Sequence, residues 1–152
     1  MREIAKASKG EPPVEPPVLE LPQSFKDRLK SKAYCHIATL MPDGSPHLTV
    51  TWVDTDDTYV IINTVEGFQK LLNMQRDPRV AFDVPNPENP ADVVMCRGRV
   101  VEITEVGARE HIDKLSMKYF GRPYANNAWG AADQKRIIVK IAVEKFLGRG
   151  RR

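Results

Sequence analysis

AYCHIATLMPDGSPHLTVTWVDTDDTYVIIN, residues 33–63, is the stretch on which the fold turns. AYCHIATL (33–40) and HLTVTWV (47–53) are rich in β-branched and aromatic residues, as strands are. Between them MPDGSP supplies Pro42, Asp43 and Gly44, the chemistry of a hairpin turn. DTDD (54–57) reads as a second turn, and TYVIIN (58–63) as the strand that returns from it. Both connections are too short for a parallel crossover, so three antiparallel strands are expected by residue 63.

Upstream, QSFKDRLKSK (23–32) places Phe25, Leu29 and the stem of Lys32 along one side of a short helix, with Ser24 as its expected cap. Downstream, GFQKLLNMQ (67–75) has helical spacing and is closed by Pro78, which disfavours helix at Asp77. RVAFDV (79–84) is a strand and PNPENPAD a loop. VVMCRGRVVEI (93–103) is a long strand in which Gly98 marks a bulge or a close approach. A helix is expected from Thr104 to about Tyr119, with Val106, Ile112, Leu115 and Tyr119 on one side, stopped by Gly121 and Pro123. RIIVKIAVEKFLG (136–148) alternates as a last strand. The class is therefore mainly β (α+β): six antiparallel strands closing into a small barrel with flanking helices.

Composition sets the bounds. A chain of 152 residues with 41% hydrophobic content can bury the core of one domain, here placed at 23–148. Residues 1–22 carry five of the 12 prolines and read as an extended arm outside that core, either draped over the domain or a neighbouring subunit or left as a leader. Residues 149–152 form a basic tail. The formal charge of +3 lacks the dense basic face of a duplex-DNA binder, and RNA binding through GRGRR is the weaker reading of an ordinary solvated tail. Cys35 and Cys96 have no metal-site or disulfide-scaffold spacing and read as buried thiols in a reducing compartment. No signal-peptide core or membrane-length apolar run occurs, so a soluble, cytoplasmic protein is expected.

One constellation invites chemistry. IINTVEGFQK (61–70) runs a strand into a helix N-terminus, where free backbone N–H groups favour anions. Gly67 permits close backbone approach and Lys70 adds a charge one turn in, whereas Glu66 would repel a phosphate unless it turned to solvent. On these residues alone the turn is either a phosphate seat or an ordinary helix start. His36, His47 and His111 show no metal-ligand spacing, and no GxSxG, HExxH, Walker A or dinucleotide fingerprint is present. No catalytic side-chain set emerges, which points to chemistry carried by a bound cofactor.

The ATL..DG.PH.T..W hairpin, the INT..G..K..N strand-turn-helix and RDPRVA, all within 37–84, resemble the pyridoxamine 5′-phosphate oxidase-like split β-barrel proteins, above all their flavin/deazaflavin oxidoreductase branch. Weaker similarity runs through CRGRVVEIT and GAREHIDKLSMKYFG, so nearly everything after residue 22 is covered. The resemblance implies a homodimer with two cofactor sites at the subunit interface. It implies that the strand from Leu48 to Val53 lies along the ring, that Ile62, Asn63 and Thr64 approach the ring or ribityl chain, and that Lys70 holds the phosphate. The turn at 64–70 is then, as the resemblance implies, a phosphate seat rather than an ordinary helix start.

Departures from the pattern refine this. The ring-facing cations of true pyridoxamine phosphate oxidases are replaced by Leu48 and Val53, and the arginine before the phosphate lysine by Gln69, which argues against oxidation of vitamin B6 phosphates. Coenzyme F420 is the preferred cofactor, FMN the next; haem lacks an axial ligand here. Arg76, Arg79 and either Arg97 or Arg99 are candidates for the anionic tail of F420. Val50, Thr51, Trp52 and Ile62 are expected to wall the ring, and Tyr124 and Trp129, on the loop 121–136, to close a pocket, that of the other subunit. The implied activity is hydride transfer between F420 or FMN and a small organic substrate; the alternative is a carrier or sensor that binds such a molecule without turnover.

Overall fold

The computed structural model describes residues 17–124 and 134–148. Most of the proline-rich arm, the loop around Trp129 and the basic tail lie outside the described residues. Helix α1 (Gln23–Lys30) leads into β1 (Tyr34–Leu40), β2 (Pro46–Trp52), β3 (Asp54–Thr55) and β4 (Val60–Val65). Then follow α2 (Gln69–Arg76), β5 (Arg79–Asn86), β6 (Asn89–Thr104), α3 (Ala108–Phe120) and β7 (Arg136–Leu147). The described strands form one antiparallel sheet of seven, in the order β2-β1-β5-β6-β7-β4-β3.

The seventh strand is a correction to the six expected. Asp54 and Thr55, read as turn residues, pair with Ile61 and Val60 instead. The turn is thereby displaced to 56–59, where the Asp56 carboxylate accepts the backbone N–H groups of Thr58 and Tyr59 at 3.1 and 2.8 Å. PNPENPAD is likewise hairpin rather than loop: β5 reaches Asn86 and β6 begins at Asn89. Its prolines fall near the hairpin tip, where the register already shifts between Pro85 and Asn86 and a missing donor costs little.

Helix starts also moved. The first turn of α1 is satisfied by the carbonyl of Pro22, which accepts from Phe25 and Lys26 at 3.0 Å, and Ser24 is not the cap. Thr104 stays in the β6–β7 ladder opposite Ile138, so α3 starts only after Gly107, leaving Val106 79% exposed instead of on the packed side. Gly98 behaves as expected of a close approach, since a Cβ there would meet the Ala142 carbonyl at 2.4 Å.

Most of the buried apolar residues face the barrel interior, among them Ile37, Val53, Ile62, Val139 and Ile141. Leu21, assigned by the sequence to the arm, joins this core, and the Leu19 N–H donates to Val143 at 2.9 Å. Cys35 and Cys96 are buried free thiols, the second pushed up to about 12 by its apolar surroundings. Outside the barrel, Ile112, Leu115 and Tyr119 of α3 form a second cluster against Trp52 and Tyr124. Tyr119 pins this helix down: its oxygen accepts the Val53 N–H at 3.1 Å and its hydroxyl donates to the Ala33 carbonyl. No described helix is long and apolar enough to cross a membrane.

Candidate functional site

Strands β2 and β3 are consecutive in sequence, joined at Val53, yet they lie at opposite ends of the sheet order. The sheet therefore curls until its ends meet, and β2 lies beside β4 without a hydrogen-bonded ladder between them. This split holds a cleft of about 370 Å³. Val50, Thr51 and Trp52 line one side, Asn63, Thr64 and Val65 the other, and α3 contributes Ile112, Leu115, Ser116 and Phe120.

At one end the chain leaves β4 through Val65-Glu66-Gly67-Phe68. The Phe68 N–H closes on the Val65 carbonyl at 3.1 Å, and Gly67 takes φ 87°, the third-position geometry of a type II turn. Helix α2 then starts with no side chain capping its first N–H groups. Lys70 reaches into the cleft and forms no hydrogen bond or ion pair with any described residue. Burial pulls its ammonium below the usual lysine range, and the nearby Arg136 acts in the same direction. Such a cation lacks an anion.

Thr64 shows a second vacant valence: it is 2% exposed, lines the cleft, and its Oγ1 has no hydrogen-bond partner. Glu66, the feared repulsive group, is exposed and turned to Lys135, whose Nζ lies 3.5 Å away. No Asp or Glu is among the described residues lining the cleft, whereas Lys70, Arg122 and Arg136 all are. The arrangement fits an anionic group.

The side of the cleft towards α3 is aromatic and basic. Trp52 stacks on Tyr119 with centroids 4.9 Å apart and planes 7° from parallel, and meets Phe120 edge-on at 5.1 Å. Arg122 lies over Phe120, and Arg136 lies 5.3 Å from the centre of Tyr124. Arg136 Nε donates to Asn63 Oδ1 at 2.8 Å. Burial again pulls this guanidinium below its ordinary range.

Residues 21–149 match the family model of pyridoxamine 5′-phosphate oxidase. The chain belongs to the pyridoxamine 5′-phosphate oxidase family. Among solved structures, an F420 reductase is 27% identical, with a TM-score of 0.69 over 84% of this chain and 98% of its own. A conserved hypothetical protein from Mycobacterium tuberculosis is 26% identical, with a TM-score of 0.65 over 85% of this chain and 84% of its own. HupZ of Group A Streptococcus, at 21% identity and a TM-score of 0.59 over 86% of this chain and 96% of its own, shares the fold. No curated protein matches the sequence at a significant level.

Within this family fold the sequence-derived site residues separate. Val50, Thr51, Trp52, Asn63, Thr64 and Lys70 meet in the cleft. Leu48 does not line it, lying on the outer face of β2 at 69% exposure, and Ile62 is sealed in the core. Gln69 turns along its own helix to Asn73 at 2.9 Å. Arg76 bonds the Leu40 carbonyl and Asn73, Arg79 pairs with Asp77 at 2.8 Å, and Arg99 with Glu144 at 3.0 Å; with the exposed Arg97, all lie outside the cleft. Trp129 lies outside the described residues. The arginines that do line the cleft are Arg122 and Arg136, neither of which was expected there from the sequence. Only the pairing of β7 with β4, which sets Arg136 opposite Val65, brings the latter to the site, and no local motif marks it.

Proposed function

We propose that this protein is an oxidoreductase that binds coenzyme F420, or FMN, in the split between β2 and β4 and moves hydride to or from a small organic substrate. The observation that carries the reading is the unpaired Lys70 beside the unpartnered Thr64 hydroxyl, in a cleft whose described lining holds no carboxylate. F420 stands before FMN for two reasons: the similarity to an F420 reductase, and the further cations Arg122 and Arg136 beyond a single phosphate seat. A bound flavin or deazaflavin supplies the hydride chemistry. The chain's own residues hold the anionic end at Lys70 and Thr64, support the ring at Val50 and Trp52, and exclude water through the aromatic wall of α3.

The reading includes a homodimer. Tyr34, Val50 and Leu48 lie on one face of the β1–β2 hairpin at 48%, 58% and 69% exposure, an apolar row that a second copy would cover.

Titration of wild type and Lys70→Ala with F420 and with FMN tests the assignment. Loss of a charged hydrogen bond, worth ~1.5–3 kcal/mol, should weaken binding roughly ten- to a hundredfold. Equal affinities remove Lys70 from the site, and failure of the wild type to bind either compound overturns the reading. Binding without hydride exchange to any acceptor leaves a carrier or sensor instead of an enzyme.

A further inference from the structure

The two cations of the cleft, Lys70 and the nearby Arg136, are held differently. Lys70 is bare, whereas Arg136 is the end of a hydrogen-bonded chain. Its Nε donates to Asn63 Oδ1 at 2.8 Å, and Asn63 Nδ2 lies 2.9 Å from the Ala108 carbonyl and 3.1 Å from His111 Nδ1. His111 Nε2 lies 3.1 Å from Asp54 Oδ2. Asn63 and Asp54 are 5% and 6% exposed, so water does not substitute for these partners.

The direction of each bond follows from its ends. A guanidinium only donates, so the Asn63 oxygen faces Arg136. A carbonyl only accepts, so the Asn63 amide nitrogen faces Ala108 and presents its other hydrogen to His111. His111 Nδ1 must then be the lone-pair nitrogen, and the ring proton lies on Nε2, donated to Asp54. Asp54 also accepts from the Thr55 N–H at 2.8 Å and from Lys114 at 3.2 Å.

We propose that Arg136 is a second anion-binding residue of the cleft, and that Asn63 and His111 are positioning residues that aim its guanidinium at an oxyanion of the ligand. This rests on the reading that the cleft takes an anionic ring cofactor. With Nε tied to Asn63 and Tyr124 as its other side-chain partner, the planar fork of Arg136 still presents Nη donors to a phosphate or carboxylate. No carboxylate among the described residues pairs with it.

The chain also gives the arrangement a proton dependence. A second proton on His111 has only Nδ1 to occupy, where it confronts the Asn63 amide hydrogens. Turning that amide over relieves the conflict but sets its hydrogens against Arg136 Nε–H, so Arg136 loses its acceptor. The charged groups around His111 are Asp54 from β3, on which Lys118 also acts, and Lys114 from its own helix, with Arg136 of β7 beyond Asn63 under the influence of Arg109.

The test is titration of F420 and FMN into wild type, Arg136→Gln and His111→Asn across about pH 5 to 8. At the upper end Arg136→Gln should bind about tenfold or more weakly than wild type. That ratio should shrink towards one as pH falls. Ionisation of the ligand's own phosphate is common to both proteins and cancels in the ratio. In His111→Asn, whose side-chain oxygen replaces Nδ1 and takes up no proton, the advantage over Arg136→Gln should persist at every pH. Arg136→Lys, which keeps the charge without the Nε donor, serves if Arg136→Gln does not fold and should bind without the wild-type pH response. Equal affinities of wild type and Arg136→Gln throughout overturn the role of Arg136. A pH-independent ratio, or a full wild-type profile in Arg136→Lys, overturns the positioning by His111. Failure of the wild type to bind either compound overturns the cofactor reading as well, which separates the two.

Discussion

The two strands that border the split differ in kind. β4 is hydrogen-bonded on both sides, to β3 and to β7, and all six of its residues are buried. β2 pairs with β1 alone and alternates, with Leu48 and Val50 turned outward. The strand that carries Asn63 and Thr64 is thus buried and laddered to β7 along its whole length, while the strand opposite is an edge with an apolar outer row. Preorganised contacts belong on the fixed wall, and the edge is where a second subunit would complete the site. Substitutions along the two strands should therefore differ in what they damage.

The largest difference should appear in stability. Ile62→Ala, at a fully buried position of β4, should cost roughly 2–5 kcal/mol through lost burial and the cavity left behind. Leu48→Ala on β2 should change monomer stability by no more than about 0.5 kcal/mol. Urea unfolding of both variants at a concentration where only monomer is present checks this. Comparable losses would mean that β2 is packed as tightly as β4, and the contrast would fail.

The same contrast explains what the sequence disclosed. The runs at 33–40, 58–63 and 79–84 announced strands because β-branched residues and turn chemistry act locally, and the strand-turn-helix into Lys70 was legible for the same reason. Asp54 and Thr55 were misread because polar residues next to Asp56 and Asp57 carry a turn signature, and only pairing with β4 makes them strand. Pairing of β4 with β7 rather than β2 was equally hidden, since it depends on how the sheet curls. Arg136 went unseen on that account: it is 71 positions from its partner Val65 by number, and the β4–β7 register alone makes them neighbours. Conversely Arg76 and Arg79, near Lys70 in sequence, are spent on local bonds to Asn73 and Asp77.

A smaller effect is expected at the corner where β2 gives way to β3. Burial by itself would raise the Asp54 carboxyl, but His111, the Thr55 N–H and Lys114 together hold it near 2, below its ordinary 3.8. The unfolded chain then takes up this proton first as pH falls. The stabilisation is fully present above the unfolded value and is lost between about pH 4 and 2, amounting to about 2 kcal/mol. Wild type should exceed Asp54→Asn by that amount near pH 6, with the gap closing towards pH 2 (about 1.4 kcal/mol per pKa unit). A gap that stays constant over this range would mean the carboxylate is not held by these partners, and would loosen the join between the two strands.

The smallest effect is the most discriminating, because each strand carries one buried threonine hydroxyl without a partner: Thr49 on β2 and Thr64 on β4. An unsatisfied hydroxyl destabilises the fold, so replacing either threonine with valine should raise stability, by about 1 kcal/mol. Their consequences for ligand binding should diverge, since Thr64 lines the cleft and Thr49 does not. Thr64→Val should gain stability and lose affinity for F420 or FMN by about fivefold, the worth of a neutral hydrogen bond near 1 kcal/mol. Thr49→Val should gain stability with affinity unchanged. Opposite signs in one variant and a single sign in the other would show that β4 carries an unsatisfied donor for the sake of the ligand. Parallel behaviour of the two would reduce Thr64 to an ordinary packing defect and leave Lys70 as the anion's contact from this end of the cleft.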